Sequence, residues 1–181
     1  MNNRRSFIVG IKSTKLLLKE REFIKKYKPW GIILFSRNII NIKQAKRLTL
    51  SIRKIFKDSK YPILIDQEGG RVNRLKNIIS FSNLTSEFFG KKFISKPKEF
   101  TFFYNLFIDK TSYLLKLIGV NINTSPVLDL RIKGSSNVIG DRSFSKNPRI
   151  VSKIGDYCIS HYHKNRIATV IKHIPGHGLA K

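Results

Sequence analysis

Within six residues, Asp66-Gln67-Glu68-Gly69-Gly70-Arg71 gathers two carboxylates, a guanidinium and two glycines. Further along, Pro126-Val127-Leu128-Asp129 supplies another carboxylate. Asp141-Arg142 sets a carboxylate beside a guanidinium, and Lys172-His173 an ammonium beside an imidazole. An ionised carboxylate only accepts hydrogen bonds, a guanidinium is a rigid fork of donors, and an ammonium is a compact charge with three donors. Groups of these types bind hydroxyl or carboxyl oxygens. Three of these motifs, together with Phe35-Ser36-Arg37-Asn38, begin where an apolar run gives out. The carboxyl ends of parallel strands are where α/β enzymes hold their sites.

The apolar runs are five: Phe7 to Ile11, Gly31 to Phe35, Ile63 to Ile65, roughly Val120 to Leu128, and Ala168 to Ile171. Each is nearly continuous in hydrophobicity, as parallel strands covered on both faces should be. Helical spacing fills most of the gaps. Leu17, Glu20, Phe23, Ile24 and Tyr27 share a face that Pro29 is expected to close. Ala45, Leu48, Ile52, Ile55 and Phe56 form a second stripe, and Phe103, Phe107, Leu114, Leu117 and Ile118 a third that Gly119 should stop. Asn147-Pro148 is a cap followed by proline in the first helical position, and Ile150, Ile154, Tyr157, Cys158 and His161 continue one face. Leu75 to Lys98 shows no clear period. Alternating strands and helices predict an α/β fold. Polar motifs at every strand end favour a (β/α)8 barrel, whose strands all converge on one mouth, over a doubly wound sheet. No dinucleotide or P-loop glycine pattern is present.

The 181 residues carry 36 Lys and Arg against 11 Asp and Glu, a formal charge of +25. Such an excess raises nucleic acid as a partner. The cations are nevertheless spread over several helices and loops, and no zinc-finger, helix-turn-helix or RNA-binding signature accompanies them. A lysine-filled solvated surface explains the charge without a nucleic-acid partner. With 41% hydrophobic residues the chain is expected to fold rather than remain disordered. Cys158 is alone, so neither an intrachain disulfide nor a cysteine metal cluster is expected, and His161 and His163 diverge on a helix. The apolar run after the basic start is too short for a leader or a membrane span, which makes the cytoplasm the expected compartment and excludes a membrane partner.

Taken in order, Gly31-Ile-Ile-Leu-Phe-Ser-Arg-Asn38, Ile65-Asp-Gln-Glu-Gly-Gly-Arg-Val-Asn-Arg74, Ser125-Pro-Val-Leu-Asp-Leu130, Val138-Ile-Gly-Asp-Arg-Ser-Phe-Ser145 and Lys172-His-Ile-Pro-Gly-His-Gly178 give the chain a specific likeness. It resembles glycoside hydrolase family 3, in particular bacterial cytoplasmic β-N-acetylhexosaminidases of the NagZ type. The resemblance implies an incomplete TIM (β/α)8 barrel, about the first five β/α units, with residues 1–181 as one partial domain. It implies substrate-binding roles for Asp66, Arg74, Arg142, Lys172 and His173. The substrate would be a small carbohydrate, a muropeptide with terminal β-linked N-acetylglucosamine, and no cofactor or metal is required. Structural alternatives stand beside these roles: Asp66 capping a helix or pairing with Arg71, and Arg142 pairing with Asp141. Asp129 is expected to organise a loop and His177 to brace one. Asn73 stands where Gln is usual, and Thr124-Ser125 where a more apolar pair is usual.

Members of this kind are retaining glycosidases with an Asp nucleophile and a His/Asp pair as proton donor. In the family pattern both follow the Pro-Gly-His-Gly motif, which here is reached at Pro175 to Gly178. No residue of the 181 matches either role, so no catalytic residue is assigned and the chain alone is expected to be inactive. It would then be part of a split or longer enzyme, completed by a downstream fragment, or a remnant that only binds sugar. A basic nucleic-acid-binding protein on an unrelated scaffold is the remaining reading.

Overall fold

A computed structural model of the protein describes residues 4–178. Five strands, β1 (Arg5–Gly10), β2 (Pro29–Leu34), β3 (Ile63–Ile65), β4 (Ile122–Asn123) and β5 (Ala168–Thr169), form one parallel sheet. Their spatial order is β1-β2-β3-β4-β5, so each strand pairs with its successor in the chain. A doubly wound sheet reverses at a switch point. Unbroken sequential order is that of a barrel wall, as the strand-end motifs led us to expect. The helices are α1 (Leu18–Tyr27), α2 (Ile42–Phe56), α3 (Ser86–Ser95), α4 (Pro97–Ile118) and α5 (Pro148–Lys164).

Consecutive Ile63, Leu64 and Ile65 are all buried, so β3 is covered on both faces. Ile32 and Leu34 on β2, Ile52 on α2, and Leu115 and Ile118 on α4 join the same core. Side chains fix several helix ends. Asn41 caps α2 by accepting from Gln44 N at 2.9 Å, and Asn147 caps α5 ahead of Pro148. Gly119 ends α4 with φ 79°, the left-handed conformation that glycine adopts without strain.

Helix α1 ends ahead of Pro29 as expected: Lys28 turns the chain and Pro29 opens β2, where a first-position proline leaves no ladder donor missing. Two expectations need correction. The fourth apolar run is not one long strand. Its regular pairing stops at Asn123, because Pro126 has no N–H to donate, and resumes as an isolated bridge between Val127 and Lys172. Between Leu75 and Lys98 the structure has a helix, α3, that periodicity did not reveal.

That helix is short and contains Gly90, which weakens any helical pattern. Thr85 caps it by accepting from Phe88 N at 3.0 Å. Gly90 is there for a tertiary reason: a Cβ at this position would stand 1.7 Å from the carbonyl oxygen of Phe144. Helix α3 thus backs directly onto the segment that follows Arg142. Among the described residues β1 and β5 each have a single partner strand, which leaves Ile8, Val170 and Ile171 exposed along the two margins. No helix is long and apolar enough to cross a membrane.

Gly90→Ala is expected to destabilise the protein by about 1–3 kcal/mol, the usual cost of overpacking. Urea unfolding followed by circular dichroism measures it; unchanged stability would show that the Phe144 segment is not held against α3.

Candidate functional site

Asp66 is the first residue beyond β3, and Lys172 lies just beyond β5. The Lys172 ammonium reaches back across β4 and donates to Asp66 Oδ1 at 2.8 Å. Its other contacts are Thr124 Oγ1 at 3.3 Å and Glu68 Oε1 at 2.6 Å. Lys172 thus makes two hydrogen bonds and an ion pair with Glu68. Thr124 also donates to Asp66 Oδ1. The Thr124 hydroxyl thus supports the strand-end carboxylate directly.

Glu68 is the second carboxylate of the cluster. Its side chain is only 3% exposed. Arg142 approaches it as a fork, Nε to Oε2 at 2.8 Å and Nη2 to Oε1 at 2.9 Å, while Nη1 donates to Val138 O at 3.1 Å. Arg74 is held more loosely. Its Nη2 is 3.5 Å from Asp66 Oδ2, its Nε is buried without a partner, and its guanidinium lies over the Phe35 ring at 5.5 Å. Three cations therefore surround two carboxylates.

The backbone beneath is fixed by buried amides. Asn123 on β4 accepts from Gln67 N at 2.9 Å and donates to Gln67 O at 2.9 Å, a two-way clasp between neighbouring strand ends. The Gln67 side chain in turn accepts from the backbone N–H groups of Arg74 and Leu75. Gly69 turns the chain with φ 89°, where a Cβ would meet Leu84 O at 2.3 Å.

Next to this cluster lies a second one built on Asp129. His173 Nδ1 is 2.6 Å from Asp129 Oδ2, which also accepts from His173 N at 3.1 Å. Oδ1 accepts from the backbone of His177 at 2.5 Å and of Gly178 at 3.2 Å. Asp129 thus folds the loop after β5 around itself and orients the His173 ring. A cavity of about 570 Å³ opens beside it between α5 and the loops after β4 and β5, lined by Leu128, Ile159, Ile171 and Pro175 as well as Asp129 and His173. It is mainly apolar and does not touch Asp66, Glu68 or Arg142, so the charged cluster rather than this cavity is the candidate site.

Of the five residues singled out from the sequence, Asp66, Arg74, Arg142 and Lys172 share one cluster, and His173 belongs to the adjoining one. Asp66 pairs with Lys172 and Arg74; Arg71 pairs instead with Asp141 at 3.1 Å. Arg142 is not the partner of its neighbour Asp141. The residue that sequence reasoning missed is Glu68. Its signal was its place two residues after Asp66, a spacing that puts both carboxylates on one side of an extended chain. Among the described residues no group of three or more His, Cys, Asp or Glu side chains could hold a metal ion.

Burial alone would raise the pKa of Asp66. The charge of Lys172, hydrogen bonds from Lys172 and Thr124, and the charge of Arg74 outweigh it and hold Asp66 below the ordinary carboxylate range. Burial opposes ionisation of Asp129 too, but the His173 ring and the backbone donors of His177, Gly178 and His173 win, and its pKa is also lowered. A carboxylate depressed in the folded state stabilises the fold fully above its unfolded pKa, about 3.9 for Asp. That contribution is lost as pH falls through the lower folded value. Stability from these two groups is expected to stay level down to about pH 5 and to fall below about pH 4. Urea midpoints measured against pH check this, and Asp129→Asn should flatten the acid limb; an unchanged limb would refute the assignment.

Residues 8–181 match the glycosyl hydrolase family 3 N-terminal domain. A beta-hexosaminidase of Hydrogenovibrio crunogenus is 36% identical over 171 residues, covering 94% of this chain and 47% of that protein. A beta-hexosaminidase of Xanthomonas euvesicatoria pv. vesicatoria is 31% identical over 175 residues, covering 94% and 50%. Among solved structures, native NagZ from Neisseria gonorrhoeae superposes with a TM-score of 0.86 at 28% identity, over 97% of this chain and 51% of that one. NagZ from the same organism in complex with N-trifluoroacetyl-D-glucosamine gives a TM-score of 0.80 at 28% identity, over 97% and 52%. The chain spans about half the length of the curated relatives it matches. With the sequential parallel sheet and the polar cluster at its strand ends, these matches establish that the chain belongs to glycosyl hydrolase family 3.

Proposed function

We propose that this chain forms the sugar-binding part of a β-N-acetylhexosaminidase site, taking terminal β-linked N-acetylglucosamine of cell-wall muropeptides in the cytoplasm. The observation that carries the reading is the convergence of Asp66, Arg74, Arg142 and Lys172 on one cluster at the carboxyl ends of β3 and β5. The solved NagZ complex with N-trifluoroacetyl-D-glucosamine supports the choice of sugar.

The geometry suggests how a sugar would dock. Asp66 Oδ1 is engaged by Lys172 and Thr124, whereas Oδ2 has only the long Arg74 contact. Oδ2 is therefore the free acceptor for a hydroxyl, and Arg74, with its unpartnered Nε, is the side chain with donors to spare. Lys172 and Arg142, paired with carboxylates, shape the site and give up a hydrogen bond only in exchange. His173, oriented by Asp129, would contribute its remaining ring nitrogen.

Turnover by the family's retaining mechanism needs a nucleophile and a proton donor. In this reading neither is among the 181 residues. Both come from further β/α units, continuous with the chain or supplied by a second polypeptide. The purified 181-residue chain is expected to bind N-acetylglucosamine weakly, with a Kd on the order of millimolar, and not to hydrolyse a chromogenic β-N-acetylglucosaminide. Asp66→Ala should abolish the binding heat in calorimetry. Absence of any sugar-linked heat with folded wild-type protein would overturn the binding reading. Turnover that Asp66→Ala eliminates would overturn the expectation of inactivity.

A further inference from the structure

We propose that Glu68 is the residue that sets the charge selectivity of this site, balancing its cations so that an anion on the sugar gains nothing over an uncharged amino sugar. The inference rests on the sugar-binding reading above and extends it to a residue that would not itself touch the ligand. Both oxygens of Glu68 are already engaged, Oε1 by Lys172 at 2.6 Å and Arg142 Nη2 at 2.9 Å, and Oε2 by Arg142 Nε at 2.8 Å. With 3% of its side chain exposed, it is a positioning residue enclosed by the cations it holds.

Its consequence is electrostatic. Arg74, Arg142 and Lys172 face Asp66 and Glu68, and the charge of the adjoining Asp129 also acts on Arg142, so three cations meet three carboxylates. Asp66 cannot neutralise the set alone, because its carboxylate already serves Lys172 and Arg74. Remove the Glu68 charge and one cation stands uncompensated beside the place where the ligand lies. At this burial the charges are screened far less than on an open surface. A phosphate or carboxylate on the sugar would then be attracted rather than merely tolerated. Glutamine in place of Glu68 keeps the shape but not the pairing. Its amide oxygen satisfies one cation, and its NH2 group then points donor to donor at the other. Arg142 or Lys172 is thereby released from its fixed direction.

Two readouts test this on the 181-residue chain. In nitrogen-15 spectra, the Arg142 Nε–H proton, donating to a buried carboxylate, should exchange slowly with solvent in the wild type and rapidly in Glu68→Gln. Calorimetric titration with N-acetylglucosamine, its 6-phosphate and N-acetylmuramic acid, whose anions sit at different ring positions, should show Glu68→Gln losing affinity for the neutral sugar. The ratio of anionic to neutral affinity should rise by about tenfold or more for at least one anion. Glu68→Asp, which keeps the charge on a shorter stem, should retain the neutral preference. Equal loss for all three sugars, as a merely structural role would give, overturns the inference and leaves the sugar-binding reading intact. If the wild type binds none of them, the sugar-binding reading fails, and unaltered Nε–H exchange in Glu68→Gln would overturn the hold on Arg142 independently. Should Glu68→Gln not fold, rapid exchange at Arg142 in the wild type, or loss of neutral preference in Glu68→Asp, overturns it equally.

Discussion

The contact between Lys172 and the two carboxylates Asp66 and Glu68 organises the rest of this molecule's chemistry. It joins the end of β5 to the end of β3 across the intervening β4, so it forms only if the three strands lie side by side in register. A part-buried ammonium needs partners for its charge and its donors, and here two hydrogen bonds and the Glu68 ion pair supply them. Each carboxylate then recruits its own arginine, Arg74 for Asp66 and Arg142 for Glu68. The chain between β4 and α5 is drawn over the mouth of the sheet by the second of these pairs.

Rigidity behind that contact comes from neutral groups. The reciprocal amide clasp of Asn123 with Gln67, and of Gln67 with the backbone at Arg74 and Leu75, fixes the path on which the charges are mounted. On the far side, the close approach of Gly90 to Phe144 supports the segment bearing Arg142. Buried charges need such backing, since a pair free to drift would exchange its partner for water.

Much of this was legible beforehand. Strand positions followed from apolar runs because parallel strands covered on both faces must be apolar throughout, and helix starts followed from Asn147-Pro148 because capping is local chemistry. Asp66, Arg74, Arg142 and Lys172 were identified through ordered motifs, and their convergence follows from the sequential strand order. What stayed hidden depended on contacts between segments distant in sequence. Helix α3 contains a glycine that local propensity counts against it, and only the passage of Phe144 explains that glycine. Likewise Glu68 looked like one of several charges in a polar loop until Lys172, 104 residues away by numbering, was seen to share it.

The two free margins of the sheet are not equivalent. β1 offers six residues of extended chain, several of them exposed, whereas β5 is two residues long and the chain beyond it pairs again only at the bridge between Lys172 and Val127. A long unpaired margin can template the pairing of a stranger's strand; a two-residue one presents too few peptide groups to do so. Unwanted self-assembly of this protein, wherever the sheet is left open, would accordingly nucleate at its first strand and not at its fifth.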